Sequence, residues 1–188
     1  MSVPRSRLTK SDWTDAALQA MAEGGTVAVN VEHIAERLGT TKGSFYHHFE
    51  SRQKLLQAAL DRWEEIVTAD LVEVAGGSVS DVRQQLRDAA TAGLGTGLDG
   101  FVDIALATSG GDPSVAASLR RVNGQRVEWL TAALEQLGVS PESSRERAVG
   151  GLASYMGLYL WQQVSGERLS DKDMHAQLDR VITVMVDR

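Results

Sequence analysis

The sequence predicts an all-α protein of about nine helices, because helical periodicity runs along nearly the whole chain. Three observations predict it. Only three prolines occur in 188 residues, no β-branched stretch alternates with period two, and apolar residues recur at three- and four-residue steps. With 43% hydrophobic and 23% charged residues, there is enough apolar surface for a real core and enough charge for solubility.

Taken in order, Ser11 is a candidate N-cap for a first helix with Trp13, Ala17, Ala20 and Met21 on one face, and Gly24-Gly25 stops it. Asn30 can cap a second helix whose apolar face, Val31, Ile34, Ala35 and Leu38, follows i, i+3, i+4, i+7 spacing. Gly39 ends it after two turns. Thr41 can cap a third helix through Phe49, and Ser51 a fourth with the stripe Leu56, Ala59, Leu60, Trp63 and Val67. Beyond Gly76-Gly77-Ser78 a helix is expected around Val82 to Leu94, then a glycine-dense stretch (Gly93, Gly95, Gly97, Gly100) read as a mobile connection, then a short apolar helix near Phe101 to Ala107. Asp112-Pro113 opens a long helix closed by Gly138, in keeping with proline at the first helical position. Ser140-Pro141 opens another, to about Gln163. Asp171 starts the last, with Met174, Leu178, Val181 and Met185 along one side.

Charge is uneven. Residues 1–56 hold seven Lys/Arg against six Asp/Glu, and the remainder twelve against nineteen. A near-neutral, histidine-rich end on an acidic body suggests two tasks in one chain. The absence of cysteine excludes a disulfide scaffold, thiolate metal sites and a cysteine nucleophile. No apolar run approaches the roughly 18 residues of a membrane span, and the first residues lack an apolar signal segment. A cytoplasmic protein is expected.

The informative stretch is Val31 to Leu55, VEHIAERLGTTKGSFYHHFESRQKL. Two short helices around a glycine-led turn form a helix-turn-helix. Ile34, Ala35 and Leu38 pack the first helix; Phe45 and Phe49, one turn apart, pack the second. Lys42, Ser44, Tyr46 and His47 are left to point outwards, at the end that enters a major groove in such complexes. Gly43, a poor helix former, removes bulk where a duplex backbone would press close.

The run GTTKGSFYHHF, with Ile34-Ala35 before it and Leu55 after it, resembles the recognition segment of TetR-type transcriptional regulators. The match extends over roughly residues 11–60. It implies a helix-turn-helix domain over 1–52, including a basic arm of Arg5, Arg7 and Lys10, and a ligand-sensing and dimerisation domain over 53–188. It also implies that Thr41, Lys42, Gly43, Ser44, Tyr46 and His47 meet DNA, with Lys42 and His47 reading base edges. Arg52 stands where the family commonly has a phosphate-binding lysine. Partners implied are a double-stranded operator, an unknown small-molecule effector and a second copy of the chain. No cofactor and no membrane partner is implied.

The body gives its own signals. Between Ser140 and Gln163, Gly150, Ser154, Gly157 and Trp161 share one stripe, while Ala148, Leu152, Tyr155 and Tyr159 lie opposite. The small stripe is assigned to the dimer seam, completed by Leu178, Val181 and Met185 of the last helix; the reverse assignment satisfies the pattern equally. An interior of Trp63, Phe101, Ile104, Val122, Tyr155 and Tyr159, with Asn123 and Arg126 as polar anchors, suits a small-molecule site. An exposed Arg126 is the simpler reading of that residue. The glycine-dense stretch is no phosphate loop, since no Gly-Lys-Ser/Thr follows it. His47-His48 has no third metal ligand at helical spacing. An enzyme is not expected either, for no nucleophile, base or metal set stands out. The expected protein is a dimeric repressor released by its ligand, with the fourth helix, from Arg52 to Trp63 and Val67, as the lever.

Overall fold

The computed structural model describes residues 8–69, 71, 78–91, 100–109 and 111–187. Nine α-helices and no strand occur among the described residues, as the periodicity predicts: α1 (Lys10–Gly24), α2 (Val31–Arg37), α3 (Lys42–Phe45), α4 (Arg52–Ala69), α5 (Val79–Thr91), α6 (Gly100–Ala107), α7 (Pro113–Gln136), α8 (Pro141–Ser165) and α9 (Asp171–Val186). None is long and apolar enough to cross a membrane.

Several boundaries differ from expectation for local reasons. Thr9, not Ser11, caps α1. Its hydroxyl accepts from the Asp12 backbone N–H while the Asp12 carboxylate takes the Thr9 N–H, a reciprocal box. At the far end Gly25 has φ +65°, and a 3₁₀ turn, Gly25–Ala28, follows. Thr41 has the extended backbone of a cap but makes no side-chain capping bond, and α3 is one turn long. Hydrogen bonds from His48 N–H and Phe49 N–H to the Phe45 carbonyl carry the coil on to Phe49. The helix expected over Val82 to Leu94 runs from Val79 to Thr91. Gly93, Gly95 and Gly97, read as a mobile connection, lie outside the described residues.

Asn30, Asp112 and Ser170 cap α2, α7 and α9 through side-chain bonds to the following turn. Pro113 and Pro141 each occupy a first helical turn, where the missing N–H costs nothing.

Apolar faces close into three clusters. The largest gathers Trp13 and Met21 of α1, Ile34 of α2, Phe45, Phe49, and Leu56, Leu60 and Trp63 of α4. It continues without a break into Val102 and Leu106 of α6 and Val115 and Val122 of α7. A second joins α5, α7, α8 and α9 through Val82, Leu86, Leu134, Ala148, Ile182 and Met185. A third contains Ile104, Tyr159, Met174 and Leu178.

Candidate nucleic-acid interface and sensor interior

The head is assembled around aromatic rings. Trp13 meets Phe45 edge-on at 5.4 Å, and Phe45 stacks on Phe49 at 5.9 Å. All three are buried. Because Phe45 and Phe49 hold the inner side of the third helical segment, its remaining side chains have no choice but to face out. Thr41, Lys42, Gly43, Tyr46 and His47 are exposed and Ser44 is half-buried. Tyr46 is 59% exposed, unusual for so large a ring. A Cβ added at Gly43 meets only the Thr41 hydroxyl, at an ordinary 3.5 Å. No crowding among the described residues demands glycine there.

The turn between the two helices is set by Gly39, with φ +64°. The Gly39 and Thr40 N–H groups return to the Glu36 and Ala35 carbonyls at 2.9 Å, closing α2 in the usual left-handed way.

Two of the cations expected on DNA already have partners within the head. The Lys42 ammonium lies 2.5 Å from a Glu32 carboxylate oxygen. That hydrogen bond pushes Lys42 above its ordinary value and holds Glu32 below the usual carboxylate range. Arg52, expected on a phosphate, donates through Nε to the Val29 carbonyl at 2.7 Å and through Nη2 to the Thr26 carbonyl. The planar fork that distinguishes arginine from lysine is what allows it to tie the start of α4 to the loop ahead of α2. These bonds make Arg52, which is exposed, a brace of the head as well as a candidate phosphate contact. Of the basic arm, Arg5 and Arg7 lie outside the described residues, and Lys10 sits 5.2 Å from the centre of the Phe49 ring.

In the body, the sequence-predicted interior falls into two groups. Trp63 and Val122 belong to the core that extends from the head. Ile104 and Tyr159 are buried in the third cluster with Tyr155 packed against them, the two tyrosine rings 5.1 Å apart. Helix α6 supplies both groups, Val102 to one and Ile104 to the other. Between those two lies Asp103, which sequence reasoning missed. Asp103 is fully buried, and its carboxylate accepts from Arg126 Nη1 at 2.8 Å. Arg126 is only 12% exposed, so the reading of it as an exposed charge is overturned. One signal for Asp103 was available: it is the sole charge in the apolar run GFVDIALA. Asn123 Oδ1 and Trp63 Nε1 are buried with no hydrogen-bond partner among the described residues. Nothing is described of the Phe101 side chain.

Polar contacts reinforce that continuous core, one tying α7 to α4 and one tying the end of α6 to the head. The Arg121 guanidinium of α7 grips the Glu64 carboxylate of α4, the shortest contact being 2.8 Å. At the end of α6 the Ser109 hydroxyl donates to the Ala105 carbonyl at 2.6 Å and accepts from the Thr26 N–H at 3.2 Å. A Cβ at Gly25 would come within 2.6 Å of that hydroxyl. The sequence pointed to α4 alone as the connection; α6 makes a second.

The α8 stripe assigned to a dimer seam is open. Gly150, Ser154 and Gly157 are exposed, with nothing within 4 Å of a Cβ at either glycine. Trp161 is 43% exposed beside Leu160 and Val164. The last helix does not supply the seam as expected. Leu178 and Met185 are buried inside the subunit and Val181 is half-buried against the second cluster. The close approach of α8 to α9 falls at Gly151, where a Cβ would overlap Met185 Sδ at 1.9 Å. Val184 is the large apolar side chain α9 leaves exposed.

An aromatic-pinned helix-turn-helix on an all-helical body is an arrangement that DNA-binding transcriptional regulators use. Residues 14–59 match the family described as bacterial regulatory proteins, tetR family. The whole chain resembles a transcriptional regulator from Rhodococcus sp. Rha1, with 26% identity, 95% and 96% of the two chains covered and a TM-score of 0.75. It shares the fold of a TetR transcriptional regulator from Legionella pneumophila, at 18% identity, 98% and 97% coverage and TM-score 0.73. It also shares that of a transcriptional regulator from Saccharomonospora viridis in complex with choline, at 18% identity, 92% and 94% coverage and TM-score 0.73. No curated protein matches the sequence. Residues 14–59 thus match the head of TetR-family regulators, and the chain shares the fold of the regulators named.

Proposed function

We propose that the protein is a ligand-responsive repressor that binds a palindromic operator as a homodimer and leaves it when a small molecule occupies the body. The observation that carries the reading is the outward presentation of Lys42, Gly43, Tyr46 and His47 by a segment whose other side is locked by Phe45 and Phe49. Thr41 and Ser44 flank them and suit phosphate contacts. A palindrome needs two such heads roughly 34–36 Å apart. The exposed α8 stripe of Gly150, Ser154, Gly157 and Trp161, with Val184 of α9, supports a self-complementary seam.

For release, the ligand must bind the two head spacings unequally. A thousandfold loss of operator affinity needs about 4 kcal/mol of such coupling. The buried polar set Asp103, Arg126 and Asn123, beside Trp63, Val122, Ile104, Tyr155 and Tyr159, supports a ligand with a small polar or charged group. The choline bound by the Saccharomonospora protein is one example of that class. Helix α4, with Trp63 and Glu64, and the α6 end at Ser109 offer two routes from that interior to the head.

The test is enrichment of duplexes from a random library, followed by titration of the enriched sequence with salt. A specific binder loses affinity steeply with salt yet keeps its sequence preference. Lys42→Ala costs about 1–3 kcal/mol on the enriched sequence, a base reader's usual share. No enrichment, with purified chain that stays monomeric, overturns the reading.

A further inference from the structure

We infer that Glu32, not only Lys42, reads a base, and that the two side chains read one base pair together, a carbonyl oxygen beneath Lys42 and an amine beneath Glu32. The inference rests on the operator-binding reading above. Glu32 lies in the first turn of α2, outside the segment usually credited with recognition, yet its carboxylate is 2.5 Å from the Lys42 ammonium. Both side chains are about half exposed, at 51% for Lys42 and 55% for Glu32. Whatever surface Lys42 meets, Glu32 meets too.

A carboxylate on that surface is a puzzle for a protein approaching a polyanion. Phosphates repel it, and a cation tied to it neutralises no phosphate. The base edges of the major groove do offer donors to an anion, adenine N6 and the cytosine N4 amine. Its Watson–Crick partner, guanine O6, is an acceptor and the usual target of lysine. Those two base atoms are hydrogen-bonded to each other, so they lie about 2.9 Å apart. That spacing is close to the 2.5 Å between Lys42 Nζ and Glu32 Oε1. Lys42 can donate to guanine O6 while Glu32 accepts from cytosine N4, and the ion pair need not open. Four polar groups then form a ring, each satisfied twice over.

The pair also discriminates by repulsion. Cytosine or adenine beneath Lys42 sets donor against donor and acceptor against acceptor, whereas thymine O4 with adenine N6 repeats the pattern of guanine O6 with cytosine N4. The mismatch is an unpaired-group penalty on top of a lost bond.

The test compares base preferences from a random duplex library for the wild type, Glu32→Ala, Lys42→Ala and Glu36→Gln. Glu36 is exposed one turn further along α2, in no described ion pair, and removes the same unit of charge. Circular dichroism checks that each variant is folded. The wild type is expected to enrich in each half-site one column that takes a keto base (G or T) on one strand and an amino base (C or A) on the other. Glu32→Ala and Lys42→Ala are both expected to lower the preference at that column by about tenfold, the share of one good base contact. Other columns stay as they were, and Glu36→Gln leaves every column unchanged. If Glu32→Ala instead strengthens binding to every duplex equally and alters no column, Glu32 merely holds Lys42 and the inference is overturned. A column that fails to separate the keto bases (G, T) from the amino bases (A, C) on one strand overturns it as well. A wild type that enriches no sequence overturns this inference and the repressor reading together.

Discussion

The head and the body of this molecule treat polar chemistry in opposite ways. The head turns it outwards: Lys42, Tyr46 and His47 stand on the surface while rings fill the inside. Among the described residues of α1 to α3, Trp13 Nε1 is the one buried side-chain polar atom without a partner. The body turns it inwards. Asp103 and Arg126 form a pair almost wholly out of water, and Gln85 Oε1, Asn123 Oδ1 and Trp129 Nε1 are buried without partners among the described residues. Each such orphan costs about 1–3 kcal/mol relative to a satisfied or apolar group. The head is built to present a surface, and the body gives up stability to keep chemistry inside.

The sharpest way to break that contrast is the buried pair. Arg126→Met removes the cation from the buried Asp103 carboxylate, and is expected to cost about 3–5 kcal/mol in denaturant unfolding. The double variant Asp103→Leu with Arg126→Met is expected to cost less than either single change, because apolar pairs often replace buried ion pairs at little loss. If the double variant is as unstable as the singles, the pair serves packing rather than recognition, and the contrast fails.

The next test strikes the contact between the two regions. Gly25→Ala places a side chain at φ +65° and ψ −164°, against the Ser109 hydroxyl. Backbone strain of that kind costs about 1–3 kcal/mol. Adding Ser109→Ala relieves the overlap but not the torsion, so thermal unfolding should recover in part only. Full recovery would mean that the backbone at Gly25 is unstrained and the contact alone matters.

The smallest effect belongs to the head's own start. Thr9→Ala is expected to lower stability by about 1 kcal/mol, the usual worth of an N-cap. Asp12, held below its ordinary 3.8 first by the Thr9 N–H and then by the Thr9 hydroxyl, gives the box a pH signature. Its folded value is depressed, so its contribution is complete above the unfolded value and fades as pH falls through the folded one. Wild type and Asp12→Asn should therefore converge in acid. A gap that holds constant down the titration would remove Asp12 from the box.

The same contrast explains what was legible from residues alone. Outward chemistry on an amphipathic segment leaves a local pattern: Phe45 and Phe49 one turn apart announce the buried side, and Lys42, Tyr46 and His47 are what remains. The helix count follows from periodicity for the same reason. Inward polar pairing leaves no such trace. Asp103 and Arg126 are 23 residues apart on different helices, and only their packing makes them neighbours. The bracing role of Arg52 was hidden for a related reason: the two carbonyls it holds belong to a loop more than twenty residues earlier. Leu178 and Met185 were misplaced because a helix covered on two sides shows apolar residues for both, and periodicity does not say which neighbour each one serves.

The core that starts at Trp13 and ends at Val122 has a consequence for anyone who wishes to rewire such regulators by grafting. A splice before Arg52 asks Leu55, Leu56 and Leu60 to seat a foreign set of rings. A splice beyond Trp63 carries that seat along but must still find Val102 and Leu106 in register across the new junction. Transplanted recognition will therefore come with a stability penalty set by the fit at α6, and the chimeras that survive will be those whose donors and recipients share residues there.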